Sequence, residues 1–212
     1  VYERYDATTT YVAISDANRH PLLHYAATIH HGIDTSAFAL HPAPDDHLLF
    51  FGRIHPDKGA AQAIELARRT GRRLDIAGII HDDAYFRRAV EPHLDEQVRY
   101  IGPVAAAERA NVLGAAHALV HLIEFDEPFG YSVVEAMACG TPVIANRRGS
   151  MDELIEHGST GFVVDDIAAA VEAVSLVGDL DRGAIRARTV ERFDAARMVA
   201  DYESVYRSIL DG

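Results

Sequence analysis

Residues 118–145 read ALVHLIEFDEPFGYSVVEAMACGTPVIA, and this stretch decides the fold. It starts and ends with short apolar runs, at residues 118–122 and 142–145, that have the length of strands. Between them, residues 132–139 form a helical segment, which stops at Gly140 because glycine followed closely by proline ends a helix. Two apolar strands joined by a helix form a right-handed crossover, so the stretch predicts two parallel strands whose sheet is covered on both faces.

The same alternation of strand and helix extends in both directions from this unit. It predicts a doubly wound, Rossmann-like parallel sheet of the α/β class with a helical C-terminus. Further strands are predicted at residues 48–53, 74–78, 98–101 and 161–164, with helices at 59–70, 83–93, 106–115, 151–156, 167–177, 182–189 and 195–210.

The first 45 residues follow a different pattern. Two short runs, residues 10–15 and 27–30, are predicted to be strands, but segments with turn-forming residues follow both of them. A proline-flanked stretch at residues 41–46 then precedes the sheet. We therefore expect residues 1–45 to be the end of a preceding domain plus a linker, and residues 46–212 to form the Rossmann-like domain.

Composition excludes several classes of protein. The 212 residues are 49% hydrophobic and 25% charged, which is typical of a globular core. A formal charge of −12 argues against nucleic acid as a partner, and neither an apolar run long enough for a bilayer nor a basic stripe supports membrane association. Cys139 is the only cysteine, which fits a reducing, cytoplasmic compartment. The twelve histidines are scattered outside any metal-ligand motif, so no metal site is predicted.

The loop after the first predicted strand of the sheet, residues 52–59, carries two cations at the start of a helix. Gly52 allows the backbone to approach a ligand closely, while Arg53 and Lys58 provide the positive charge. A helix N-terminus with two cations suits a diphosphate. Taken alone, the loop also fits a solvated turn between a strand and a helix.

Two acids lie eight positions apart in the opening stretch: Glu127 is in the loop before the helix, and Glu135 is on the helix. Glu135 shares one helix face with Tyr131, and the amides near Phe129, Gly130 and Tyr131 are free to donate because they lie at the helix start. A helical rise of about 1.5 Å per residue places the two carboxylates roughly 10 Å apart or more, which suits opposite ends of an extended ligand. Considered singly, either glutamate also fits an ordinary surface acid.

Together these loops resemble the signatures of glycosyltransferase family 4. The likeness rests on GRIHPDKG at 52–59 and EPFGYSVVEAMACGTPVIA at 127–145, and it extends to GSMDELI at 149–155, GSTGFVVD at 158–165 and HGID at 31–34. Members of that family are retaining glycosyltransferases of the GT-B fold. The resemblance covers nearly the whole chain but only the C-terminal half of a family member, so it implies that residues 1–45 are a remnant of the acceptor domain.

The resemblance also implies roles for the site residues. Gly52, Arg53 and Lys58 would hold the diphosphate of a UDP- or GDP-type nucleotide sugar, and the two cations would stabilise it as a leaving group. Glu127 would contact the donor sugar, and the amides around Phe129–Tyr131 would hold its hydroxyls. Glu135 would accept hydrogen bonds from the ribose, and the base would lie between residues 79–81 and 102–104. No cofactor or metal is implied, because the nucleotide sugar is itself a substrate.

Several positions depart from the family pattern, and alternatives stay open. Ile123 and Glu124 replace a common Pro-Ser pair, Asp152 replaces a common proline, and His31 replaces a common asparagine. These changes bear on the donor sugar rather than on the class of enzyme. Without the acceptor half of the enzyme, its partner, the chain alone is expected to bind donor without transfer. The alternatives are a nucleotide-sugar-binding module without turnover and a sugar-nucleotide epimerase of the same fold.

Overall fold

The computed structural model describes residues 2–5 and 8–211. Its largest feature is a parallel sheet of six strands, preceded in the chain by a separate parallel pair. In chain order the strands are β1 (Tyr11–Ala13), β2 (Tyr25–Thr28), β3 (His47–Phe51), β4 (Arg73–Ala77), β5 (Val98–Gly102), β6 (Ala118–His121), β7 (Val143–Asn146) and β8 (Gly161–Val164).

Helices cover both faces of the six-stranded sheet. They are α1 (Ala60–Thr70), α2 (Asp83–Ala89), α3 (Ala106–Ala115), α4 (Tyr131–Ala138), α5 (Met151–Leu154), α6 (Ile167–Leu176), α7 (Arg182–Phe193) and α8 (Ala195–Leu210). Successive side chains of a strand point to opposite faces, and β3 shows this clearly. Leu48 and Phe50 pack into the core under α1, α2 and α6, while Leu49 packs into the core under α3, α4 and α7. The predicted doubly wound α/β fold is confirmed.

The strand order places a switch point in the middle of the sheet. The order is β5-β4-β3-β6-β7-β8, so the chain builds outward from β3 in one direction and from β6 in the other. The strands β3 and β6 are therefore neighbours, and the loops that leave their carboxyl ends run in opposite directions along the sheet. In open parallel sheets, this point is where a crevice forms and ligands bind.

All six strands predicted for the sheet are present, with ends that differ from the predicted ones by at most two residues, and the larger differences are at helix ends. The helix predicted over 83–93 ends as an α-helix at Ala89 and is followed by a 3₁₀ turn, because Pro92 has no N–H to donate to Arg88 O and its ring would clash with that carbonyl. The helix predicted over 182–189 continues to Phe193, whose buried ring fixes the corner where α8 begins.

The first segment is tied to the main body. Ile33 exchanges backbone hydrogen bonds with the junction of α7 and α8, donating to Phe193 O at 2.9 Å and accepting from Ala195 N at 2.9 Å. Ser15 Oγ donates to Pro128 O at 2.7 Å, beside the loop after β6. Its assignment to a preceding domain stays a prediction. Val1, Asp6, Ala7 and Gly212, which belong to the predicted domain ranges, lie outside the described residues.

Over residues 2–5 and 8–211, every helix is too short or too polar to cross a bilayer.

Candidate functional site

A cleft of about 400 Å³ opens at the switch point, beyond the carboxyl ends of β3 and β6. The structure brings all eight residues singled out from the sequence to this one cleft. They are Gly52, Arg53, Lys58, Glu127, Phe129, Gly130, Tyr131 and Glu135. Both cations therefore lie on the same side of the sheet as both acids, as binding of one shared ligand requires.

The loop after β3 is held close to the end of β6. Gly59 has a φ of +80°, and a Cβ there would come within 2.1 Å of Leu122 O, so only glycine lets the two segments approach. Glu124 N also donates to Asp57 O at 2.9 Å. The 3₁₀ turn Pro56–Lys58 consequently delivers the side chain of Lys58 directly to the second loop.

Lys58 and Glu127 form an ion pair within the cleft. Lys58 Nζ lies 2.7 Å from Glu127 Oε2, and the two side chains are only 18% and 16% exposed. The ammonium also lies 4.3 Å from the centre of the Phe125 ring. Arg53 is exposed at the cleft wall and has no ion-pair or hydrogen-bond partner among the described residues. One cation is thus paired and one is free.

The loop after β7 supports Glu127 from behind. Gly149 has a φ of +54°, and a Cβ there would lie 2.2 Å from Glu127 O, so the two backbones are in direct contact. Ser150 N donates to Glu127 O at 3.0 Å, and Ser150 Oγ donates to Phe129 O at 2.5 Å. The backbone around Glu127 and Phe129 is therefore held by the loop after β7 as well as by the start of α4.

Glu135 is a buried carboxylate, since its side chain is only 8% exposed. Arg109, on α3, donates to Glu135 Oε1 at 2.8 Å. Burial raises the pKa of Glu135, and the nearby Arg109 guanidinium opposes that rise. Burial, and secondarily the charge of Glu135, also raises the pKa of Tyr131. Neither acid is the ordinary surface group that the sequence left open.

The start of α4 presents unpaired donors to the cleft. Gly130 is the N-cap residue, and the amides of Gly130, Tyr131 and Ser132 have no acceptor in the part of the chain that the structure describes. Phe129 contributes only backbone, because its ring is 3% exposed and packs edge-on against His31 at 5.2 Å between centroids. These amides can bind ligand oxygens.

Three ionisable side chains that received no role in the site from the sequence, Arg109, His121 and His31, also line the cleft. Arg109 gives no sequence signal, because it lies on the polar side of an ordinary helix. His121 interrupts the apolar run of β6 at its carboxyl end, which is a recognisable signal. The residue is buried, and burial together with the charge of Lys58 lowers its pKa to about 3. His31 stacks on Tyr131 with ring centroids 5.3 Å apart, so the first segment also contributes to the wall.

The loops predicted to hold the base lie beside the cleft rather than in its wall. Residues 79–81 and 102–104 contribute none of its lining side chains within the described chain. His81 lines a smaller adjoining pocket of about 120 Å³ with Arg53, Lys58 and Phe125. The base position therefore stays a prediction.

A doubly wound sheet with charged groups converging at its switch point is the arrangement in which α/β proteins bind ligands. Residues 34–185 match the family described as glycosyl transferases group 1, and the chain belongs to that family.

Known relatives agree with this assignment. The chain is 35% identical over 150 residues to a D-inositol 3-phosphate glycosyltransferase of Pseudarthrobacter chlorophenolicus, covering 66% of this chain and 34% of that protein. It is 29% identical over 199 residues to the phosphatidyl-myo-inositol mannosyltransferase of Mycobacterium tuberculosis, covering 87% and 53%. The chain thus spans about a third to a half of the length of these relatives.

Solved structures share the fold. The glycosyltransferase AviGT4 of avilamycin A biosynthesis superposes with a TM-score of 0.81 at 27% identity, over 95% of this chain and 64% of that one. HepE of Anabaena, solved with UDP and glucose, has a TM-score of 0.81 at 21% identity, over 96% and 64%. These neighbours are GT-B glycosyltransferases, so the GT-B relationship expected from the sequence is confirmed.

Proposed function

We propose that this chain is the donor-binding half of a retaining glycosyltransferase, which transfers a sugar from a UDP- or GDP-type nucleotide sugar to an acceptor. One observation carries the proposal: Arg53, Lys58, Glu127 and Glu135 surround a single cleft at the switch point of the sheet. The family match supports a transferase over an epimerase. HepE, a structural neighbour, holds UDP-glucose, which supports a donor of this kind.

The two cations suit the leaving group of such a reaction. Breaking a bond between sugar and phosphate develops negative charge on the diphosphate, and preorganised cations stabilise that charge most strongly in the transition state. Arg53 is free to bind a phosphate as it stands, whereas Lys58 must leave Glu127 or be shared with it. Donor binding would therefore rearrange the ion pair.

The acids and amides suit the rest of the donor. Glu127 and the free amides at the start of α4 all border the cleft, where they would hold sugar hydroxyls. Glu135 lies one to two turns further along α4, and Arg109 helps keep it ionised. A buried, charged carboxylate is a strong acceptor for the two hydroxyls of a ribose.

The acceptor site is proposed to come from a part of the enzyme outside this chain. The chain spans about half of the mannosyltransferase that it matches, and its cleft is open to solvent in the described structure. Residues 1–45 would be the end of that missing half. We therefore expect this chain alone to bind donor nucleotide without transferring sugar.

Calorimetric titration of the chain with UDP, GDP and ADP tests the donor site. At least one nucleotide should bind, and Lys58→Ala should weaken that binding by about tenfold or more, as expected for the loss of one charge-assisted contact. Arg68→Ala is the matched control, because Arg68 lies on the neighbouring helix and pairs with Asp95 away from the cleft. Failure of all three nucleotides to bind would remove the proposal.

Transfer and stereochemistry require the complete enzyme. With a panel of nucleotide sugars, NMR of the product should show the same anomeric configuration as the donor. An inverted product would exclude the retaining mechanism. Binding without transfer to any acceptor, by the complete enzyme, would favour the binding module.

A further inference from the structure

His121 lies beside the Lys58–Glu127 ion pair and leaves one buried ring nitrogen without a hydrogen-bond partner in the described structure. It ends β6 at the floor of the cleft, and its side chain is only 8% exposed. Its Nε2 is fully buried and has no hydrogen-bond partner in the described structure. The same atom lies 4.0 Å from Glu127 Oε2, which is just beyond hydrogen-bond distance. Buried polar atoms in folded proteins are nearly always paired, so this one requires an explanation.

The oxygen that His121 faces is already occupied. Glu127 Oε2 accepts from Lys58 Nζ at 2.7 Å. Lys58 also borders the pocket that Arg53 shares, where a phosphate would be drawn by the free guanidinium. An arriving diphosphate competes with Glu127 for the ammonium, and without a replacement Glu127 would be left as a buried, unpaired carboxylate, which is unfavourable.

We propose that His121 is an alternative hydrogen-bond donor for Glu127. When a ligand phosphate binds the Lys58 ammonium in place of Glu127, the Nε2–H of His121 donates to Glu127 Oε2. Glu127 then keeps a hydrogen-bond donor on Oε2 and its direction towards the sugar. His121 is thus a positioning residue that acts through Glu127. This inference rests on the proposed donor site.

A neutral imidazole suits this task. Burial and the Lys58 ammonium lower the pKa of His121 to about 3, so the ring is neutral at physiological pH. A neutral ring has one N–H and adds no charge that would repel Lys58 in the unliganded state. After Lys58 moves, the same N–H faces a carboxylate without a competing cation, and a short shift closes the remaining distance.

A first test needs no nucleotide. Lys58→Met removes the ammonium while keeping a side chain of similar length, and it should imitate the ligand-bound arrangement. Histidine-selective ¹⁵N NMR of this variant should show a protonated Nε2 for His121 with a downfield proton signal. Adding Glu127→Gln should move that signal upfield. An unprotonated Nε2, or a signal that ignores the change at Glu127, would overturn the inference even if the donor site is real.

In the unaltered protein, the same exchange can be followed from the lysine. Lys58 is the only lysine in the sequence, so lysine-selective ¹⁵N labelling gives one side-chain signal. Adding UDP should shift this signal and move the His121 signal to the position seen in Lys58→Met. A lysine signal that responds to UDP while the histidine signal stays in place would contradict the exchange. No response from either would instead count against the donor site.

A double-mutant cycle separates this role from a structural one. His121→Val should weaken UDP binding about tenfold in the unaltered background, the effect of one hydrogen bond to a charged group. In the Lys58→Met background it should change UDP binding little, because no ammonium has to be replaced. An equal loss in both backgrounds would show that His121 only supports the fold.

His117→Val is the matched control for this cycle. It makes the same chemical change at the opposite end of β6, beside a different pocket. It should leave UDP affinity unchanged in both backgrounds. If His121→Val does not fold, the two NMR measurements still decide the question, because neither alters His121.

Discussion

Two cavities of similar size lie at opposite ends of the parallel strands, and both contain arginine and histidine. The cleft at the carboxyl ends measures about 400 Å³, and the pocket near the amino ends of β6 and β7 measures about 460 Å³. The second pocket is lined by Arg182, His117 and several prolines. Neither volume nor the presence of arginine and histidine therefore distinguishes them.

Their polar groups are used differently. In the amino-end pocket, the Arg182 guanidinium donates to three backbone carbonyls, including Gly114 O at 2.6 Å, and to Thr141 Oγ1 at 2.7 Å. In the cleft, Arg53 has no partner among the described residues, and Lys58 has one that a phosphate can replace. Partners that can be exchanged for a ligand mark a binding site, whereas fixed partners mark a structural one.

The largest effect should come from breaking the exchangeable pair. In the complete enzyme, Lys58→Ala and Glu127→Ala should each lower kcat/KM for transfer by about 10²–10³, because each removes a group aimed at charge that develops during reaction. Steady-state transfer assays measure this. The control Arg68→Ala should keep a near-normal kcat/KM for transfer. Near-normal transfer by both cleft variants would contradict the assignment of the cleft, rather than the other cavity, as the binding site.

The amino-end pocket should respond in stability instead. Arg182→Met leaves several buried acceptors unpaired and should lower the free energy of unfolding by about 3 kcal/mol. Urea unfolding of the chain measures the loss. UDP affinity of the folded fraction should not change. Arg188→Met, on the same helix but in an exposed pair with Glu156, is the control and should be nearly neutral.

The strands and helices could be predicted from the sequence because each depends on signals within its own segment. The apolar runs of buried strands, the stop at Gly140 and the helical periodicity together located all six strands of the sheet. The errors lie where local signals conflict with context. Pro92 shortened one helix, and burial of Phe193 lengthened another beyond its expected end.

The site was readable only in part, since its pairings depend on which strands are neighbours. Glycines and charged groups marked both loops, but the contact between Lys58 and Glu127 requires β3 to lie beside β6. No local sequence pattern predicts this spatial order of the strands. The Arg109–Glu135 pair depends on how α3 packs beside α4, and it was missed for the same reason.

Arg109 offers a smaller, pH-dependent test of the cleft. Burial raises the pKa of Glu135 and Arg109 opposes this, so Arg109→Gln should raise that pKa further. The carboxylate is the form that accepts ribose hydroxyls. UDP affinity should therefore fall as pH drops through the pKa of Glu135, and in the variant this fall should begin at higher pH. Within that window the variant should bind UDP up to about tenfold more weakly than the unaltered chain.

Calorimetry between pH 8 and pH 5 measures this profile. Glu135→Gln is the control, because it should remove the part of the pH dependence that Glu135 causes. It should also preserve stability at neutral pH. Because the pKa of Glu135 is raised in the folded state, ionisation of Glu135 lowers stability at pH values above its unfolded-state pKa. Replacing it with a neutral amide therefore removes no favourable charge at neutral pH. Superimposable profiles for Arg109→Gln and the unaltered chain would contradict this role.

The smallest effect should come from His31, which tests whether the first segment belongs to the donor site. Its ring stacks on Tyr131 at an interplanar angle of 16°, and burial followed by the neighbouring His30 lowers its pKa, which favours the neutral ring. His31→Ala should weaken UDP binding by roughly two- to tenfold, the value of one aromatic pair. His24→Ala, in the same segment but absent from the cleft lining, is the control. Equal affinities for all three proteins would show that residues 8–45 pack beside the cleft without shaping it.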